Sequence, residues 1–196
     1  GSLIQKIRPY RIDGIIHLAN YKSVSESQTK PLMYYKNNIE STLEILSFMN
    51  NRGIRNLVFS SSASVYSPGE KRKEDSNLVH NNVYASTKII QEQILNNFEN
   101  VKNLRYFNPI GLHPSGHLKE DINTSNVIPS LIRSIVKYRP FNLYGNCYRD
   151  YVHVMDIAKC TVDALELSTD KMETINIGTG ISTSTGKLVT EFMNVN

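Results

Sequence analysis

Four short apolar runs, each giving way to polar residues, constrain most tightly what this chain can fold into: Ile15 to Ala19, Ile54 to Phe59, Leu104 to Phe107 and Thr174 to Ile177. Each is of strand length, and Ile15 to Ala19 (His17 apart) and the Leu57-Val58-Phe59 part of the second run are apolar in succession, as a strand buried on both sides must be. Helical segments separate them. Leu32, Tyr35, Ile39, Leu43, Leu46 and Met49 recur at helical spacing as far as Gly53, and Ile89, Ile90, Ile94 and Leu95 do so in a segment that runs to about Glu99. Pro31 suits the first turn of the earlier helix. Further helices are predicted from Ile128 to Tyr138 and, with Asp156 as its N-cap, as far as Leu167. Strands alternating with helices require an α/β fold: a parallel sheet with helices on both faces. Shorter strands are expected at Phe141 to Tyr144 and Tyr151 to Val154. Residues 20–30, 67–79 and 112–126 read as loops, and the end of the chain reads as the start of a helix.

In such sheets, sites form at the carboxyl ends of the strands. Those ends supply Asn20 and Lys22, then Ser60 to Ser64, then Asn108. The helix after the second of them holds Tyr84 and Lys88 four residues apart, hence on one face. A phenol is a poor base at neutral pH, since its ordinary pKa is about 10. An adjacent ammonium favours the phenolate and brings the tyrosine towards proton acceptance. Serine, tyrosine and lysine together can move a proton from a substrate hydroxyl. Asn108 and Arg149 could hold an anion such as a diphosphate.

Composition excludes several classes. The residues are 40% hydrophobic and 20% charged, ordinary for a globular protein, and the formal charge is +4. The one basic cluster, Lys71-Arg72-Lys73, falls in a loop and reads as solvated surface. No basic stripe with interleaved aromatics points to nucleic acid. No apolar run approaches the ~20 residues of a membrane span, and the first residues lack the apolar core of a signal peptide. Cys147 and Cys160 lack ligand spacing, so no metal is assigned and two free thiols in a reducing compartment, the cytoplasm, are expected.

Several segments, in order, carry a resemblance: Ile16 to Ala19 continuing through Lys22 to Ser27, Tyr34 to Asn38, Phe59 to Tyr66, Tyr84 to Lys88, Arg105 to Gly116 and Arg149 to Asp156. Together they resemble the extended short-chain dehydrogenase/reductase superfamily, and within it the UDP-glucose 4-epimerases. Ala63-Ser64 stand where related dehydratases usually carry an acidic pair. The resemblance implies a Rossmann-like doubly wound sheet, tightly bound NAD, and interconversion of UDP-glucose and UDP-galactose through a 4-keto sugar. Tyr84 would be the base, Ser62 would bridge it to the sugar hydroxyl, and Lys88 would bind the nicotinamide ribose. Lys22, Asn38, Ser60 and Tyr106 would also touch NAD. Asn108, Asn126, Tyr144 and Arg149, with Ser62 and Tyr84, would bind the UDP-sugar. A homodimer through the helices at Pro31 to Asn51 and Tyr84 to Glu99 is a further implication.

The chain departs from that pattern. The glycine-rich turn that binds the pyrophosphate, with its flanking strand and helix, is absent from residues 1–196. Gly178-Thr179-Gly180 belongs to the substrate side and is not that turn. The expected organisation is one partial domain, an incomplete sheet with residues 1–110 forming the remainder of the NAD-binding core and residues 111–196 supplying the substrate side. Three readings stay open: part of an epimerase, a catalytically dead derivative serving as a binding module, and another sugar-nucleotide epimerase or dehydratase of the same superfamily.

Overall fold

The computed structural model describes residues 10–67, 72–118, 120–124, 126–143, 145, 147–167 and 171–195. The elements, in order, are β1 Gly14–His17, α1 Val24–Thr29, α2 Pro31–Arg52, β2 Asn56–Ser62, a 3-10 turn Ala63–Val65, α3 Val83–Leu95, β3 Val101–Tyr106, β4 Asn108–Ile110, α4 Val127–Val136, β5 Tyr148–His153, α5 Val154–Glu166, β6 Glu173–Ile177, β7 Ser182–Ser184 and α6 Thr185–Val195. One sheet has the order β1-β2-β3-β6, with β1 parallel to β2 in the register Ile15 to Leu57 and His17 to Phe59. A second has the order β4-β5-β7, with β4 parallel and β7 antiparallel to β5.

The chain divides into two compact units, one comprising the described residues of Gly1–Arg105 and Thr161–Asn176, the other those of Tyr106–Cys160 and Ile177–Asn196. In the first, Leu46 and Met49 of α2, Leu57 and Phe59 of β2, Leu95 of α3 and Val101 of β3 form one core with Ile54. Pro31 opens α2, and Gly53 closes it in the left-handed conformation that glycine adopts without cost (φ 63°). Gly14 lets β1 approach α5, because a Cβ there would lie 2.8 Å from Leu165 Cδ1. In the second unit, β4 holds Pro109 on an edge strand, where a missing N–H is tolerated.

The alternation of strand and helix stands as expected, and several details differ. Residues 20–30 are not all loop, since α1 lies within them. Its six residues are too few and too polar to show a period, but Ser23 caps them, its hydroxyl accepting from Glu26 N at 3.2 Å. Phe141 to Leu143 form no strand. β5 starts at Tyr148, three residues early, because Tyr148 to Asp150 pair with the polar β7, which hydropathy does not show. Asp156 is not the N-cap of α5, which starts at Val154; the carboxylate sits in the first turn, where it complements the positive end of the helix. α3 ends at Leu95 rather than near Glu99. Arg72 is half-buried rather than solvated, its carbonyl accepting from Asn176 Nδ2 at 3.1 Å.

Candidate active site

The first unit brings together Ser60, Ser62, Tyr84, Lys88, Asn20 and Asn38. Ser60 and Ser62 end β2, and the Ser62 hydroxyl also caps the following 3-10 turn through Ser64 N at 3.2 Å. Tyr84 and Lys88 occupy successive turns of α3, one of the most enclosed helices described: nine of its residues from Tyr84 to Leu95 are buried.

The start of α3 is anchored from outside as well as from its own cap. Asn82 Oδ1 accepts from Ala85 N at 2.8 Å, Gln28 Oε1 from Val83 N at 3.0 Å, and Ser27 Oγ from Tyr84 N at 3.1 Å. Ser27 is fully buried and donates its own hydroxyl proton to Val24 O. Two of the orphan amides of a helix start are thereby satisfied by α1. Neither Ser27 nor Gln28 was visible as a site residue in the sequence. The pattern Ser23-Val24-Ser25-Glu26, a Ser-x-x-Glu capping signature, was the available signal for α1.

Further along α3, Glu92 and Arg105 form a buried, two-pronged ion pair, Nε to Oε1 at 3.0 Å and Nη2 to Oε2 at 2.7 Å. Ser61 Oγ donates to the same carboxylate. Arg105 also donates to Tyr66 Oη at 2.8 Å, and Tyr66 donates to Asn176 Oδ1 at 2.6 Å. Ser61 lies between Ser60 and Ser62 on the alternate face of β2, so this network ties the end of that strand to α3. No local pattern points to it, since the pairing spans two distant elements.

The electrostatics of Tyr84 differ from the expectation. Burial raises the phenol above its ordinary pKa, and a hydrogen bond with Ser62 only partly opposes this. Lys88 Nζ lies 5.8 Å from the centre of the Tyr84 ring and 4.7 Å from that of Phe59. It donates to Ser60 O at 2.5 Å and Asn20 Oδ1 at 3.2 Å. Desolvation lowers Lys88 to a pKa of about 7, against a smaller opposing effect of Glu92. The lysine is thus a buried amine near its own titration point, and the tyrosine is held as the neutral phenol.

Asn38 is fully buried and turned to Tyr21: Oδ1 accepts from Tyr21 N at 2.8 Å, and Nδ2 donates to Tyr21 O at 3.2 Å and Thr87 Oγ1 at 3.1 Å. Its side chain shapes the segment that carries Asn20 and Lys22. Lys22 is exposed. Beneath the site, His17 donates from Nε2 to Thr42 Oγ1 at 2.9 Å, the arrangement that lets Thr42 in turn donate to Asn38 O. Burial first, and then Lys88, lower its pKa to about 4.

The remaining candidates belong to the second unit. Tyr106 ends β3 and is half-buried. Asn108 Nδ2 donates to Asp150 O at 3.0 Å, which ties β4 to β5. Asn126 precedes α4 and donates to Glu120 Oε1 at 2.5 Å. Arg149 is exposed on β5 opposite Thr183. Tyr144 lies outside the described residues. Cys147 and Cys160 are free and exposed, and no cluster of metal-ligating residues occurs among the described residues.

The sequence matches the NAD dependent epimerase/dehydratase family over residues 1–178. The chain belongs to that family. Among curated relatives of this epimerase/dehydratase chain, UDP-glucose 4-epimerase 2 of Oryza sativa subsp. japonica is 38% identical over 98% of the chain and 53% of its own length. UDP-glucose 4-epimerase of Bacillus subtilis (strain 168) is 38% identical over 94% of the chain and 60% of its own length. The chain therefore spans between half and two-thirds of these relatives. The fold is shared with a Stenotrophomonas maltophila UDP-glucose-4-epimerase solved with NAD and formylated UDP-arabinopyranose, at 31% identity and a TM-score of 0.89 over 98% of this chain and 63% of that one. It is shared too with a Bifidobacterium longum UDP-glucose 4-epimerase solved with NAD+ and UDP, at 32% identity and a TM-score of 0.86 over 97% and 63%. The Rossmann-like sheet is incomplete relative to those full-length structures. No described helix is long and apolar enough to cross a membrane.

Proposed function

We propose that this chain carries the proton-transfer machinery of a UDP-sugar 4-epimerase that interconverts UDP-glucose and UDP-galactose with NAD as its cofactor. The carrying observation is the placement of Tyr84 and Lys88 on successive turns of the buried α3, with Lys88 Nζ 5.8 Å from the centre of the Tyr84 ring and bonded to Ser60 O at the strand end that bears Ser62. Tyr84 exchanges the proton of the sugar 4-hydroxyl, and Ser62 relays it between sugar oxygen and phenol. Burial holds the phenol neutral in the chain alone, so Tyr84 would accept that proton as the phenolate, the form that a bound positive nicotinamide would favour.

The residues present fit the ribose end of a dinucleotide. Lys88 has three donors, of which Ser60 O and Asn20 Oδ1 take two, leaving one for a ribose hydroxyl. Ser60 touches Lys88 through its carbonyl, Lys22 follows Asn20 by two residues on the segment that Asn38 holds at Tyr21, and Tyr106 belongs to the same set by resemblance. When bound, NAD supplies a hydride acceptor for C4 and a positive ring that favours the phenolate. Asn108, Asn126, Tyr144 and Arg149 are assigned to the UDP-sugar. On this reading, residues 1–110 form the remainder of the cofactor-binding core, with Ser62, Tyr84 and Asn108 also serving the sugar nucleotide, and residues 111–196 supply the rest of the substrate side. The setting is the cytoplasm, and the assembly is a homodimer in which α2, with Leu32 and Leu43 exposed, faces the second copy.

The test is conversion of UDP-glucose to UDP-galactose by the chain with added NAD. Turnover is expected, and Tyr84→Phe is expected to lower it by at least about 100-fold, the range of a lost acid–base group. A folded chain that converts nothing, or a Tyr84→Phe variant as active as the parent, would favour the binding-module reading.

A further inference from the structure

Asp150, beside Arg149, is held in an unusual way. Its carboxylate accepts from Thr179 N at 3.0 Å, Thr179 Oγ1 at 2.6 Å and Gly180 N at 2.8 Å. The Gly178-Thr179-Gly180 turn is therefore a cradle for this one side chain, three donors around a carboxylate as in other anion-holding backbone nests. Gly178 admits no other residue without displacement, because a Cβ there would lie 2.7 Å from Asp150 Oδ2 and 3.1 Å from the Phe107 ring. Asp150 is also held through its backbone. Its carbonyl accepts from Asn108 Nδ2 at 3.0 Å, and it pairs with Ser182 in β7. It is thus fixed from β4, from the turn and from β7 at once.

Arg149 stands one residue away, on the opposite face of the same strand, exposed and opposite Thr183. A long, charged side chain on a short strand loses much rotamer and backbone freedom on binding an anion. Fixing the strand beforehand removes part of that cost. We infer that Asp150 is a positioning residue: held by Gly178, Thr179 and Gly180, it pre-sets the strand from which Arg149 reaches the diphosphate of the nucleotide-sugar. The inference rests on the reading of Arg149 as the diphosphate contact. It also gives Gly178-Thr179-Gly180 a purpose other than binding phosphate.

Calorimetric titration of the chain with UDP tests it, using Arg149→Ala, Asp150→Asn and the double variant. The asparagine amide meets Gly180 N–H donor to donor, so that bond is lost. Arg149→Ala and Asp150→Asn are each expected to weaken UDP about tenfold, the effect of one hydrogen bond to a charged group. The double variant is expected to bind no more weakly than Arg149→Ala, because Asp150 acts through Arg149. Fully additive losses would mark a merely structural role and overturn the inference. Unchanged UDP affinity in a folded Asp150→Asn would overturn it while leaving the diphosphate role of Arg149 intact. Failure of the parent chain to bind UDP, or of Arg149→Ala to weaken it, would remove the underlying reading and the inference together. Should Asp150→Asn not fold, Thr179→Val, which removes one donor and keeps both backbone amides, decides by the same comparison against Arg149→Ala.

Discussion

Lys88 and His17 show how burial sets chemistry here one residue at a time. Both are cations at some pH, both lie under the site, and both are pushed towards the neutral form by desolvation before any neighbour acts. For His17 this has a measurable consequence. Its folded pKa of about 4 lies below the ordinary 6.5, so below pH 6.5 the unfolded chain binds the proton more readily than the folded one. Stability from this residue is complete above pH 6.5 and declines as the pH falls towards 4, by about 3 kcal/mol in all. His17→Gln, whose amide can keep the donor to Thr42, is expected to flatten that part of the curve. Urea unfolding from pH 7 to 4 measures it, and parallel curves for the two proteins would refute the assignment. The sequence placed Tyr84 and Lys88 on one face correctly. It could not show that the phenol stays neutral, because that depends on enclosure by α2, α3 and β2, which spacing does not reveal.

α3 is the element on which the site depends, and it is held at both ends. α1 satisfies its first amides through Ser27 and Gln28, and Glu92 joins it to β3 through Arg105. Removing one partner of a buried pair leaves the other charge uncompensated, whereas removing both does not. Glu92→Gln is expected to cost about 3–5 kcal/mol in urea unfolding, and Glu92→Leu with Arg105→Met is expected to recover most of that loss. Equal costs for the single and double variants would show that the pair contributes by packing alone. At this scale the long, periodic elements were legible: α2, α3, α4 and the strands at β1, β2, β3 and β6. The short polar ones were not. β7 is Ser-Thr-Ser and α1 is Val-Ser-Glu-Ser-Gln-Thr, and neither has an apolar face to read. Phe141 to Leu143 failed in the opposite sense, since apolar residues without a pairing partner do not make a strand. Asp156 was a good capping residue that ended up inside the first turn, because β5 runs directly into α5.

Across the whole molecule, one unit holds Ser62, Tyr84 and Lys88 and the other holds Asn108, Asn126 and Arg149. The chain spans 53% and 60% of two UDP-glucose 4-epimerase relatives, so how much of the cofactor grip resides in these residues is the central quantity. The ribose end is assigned here to Lys88, Lys22 and Ser60. The most direct measurement is calorimetric titration of the folded chain with NAD, with Lys88→Met in parallel. Binding by the parent chain is expected, with a loss of about tenfold or more in the variant from the missing charged donor. Absence of binding by the folded chain at about millimolar NAD, where even a −4 kcal/mol interaction registers, or equal affinity in Lys88→Met, would contradict that assignment.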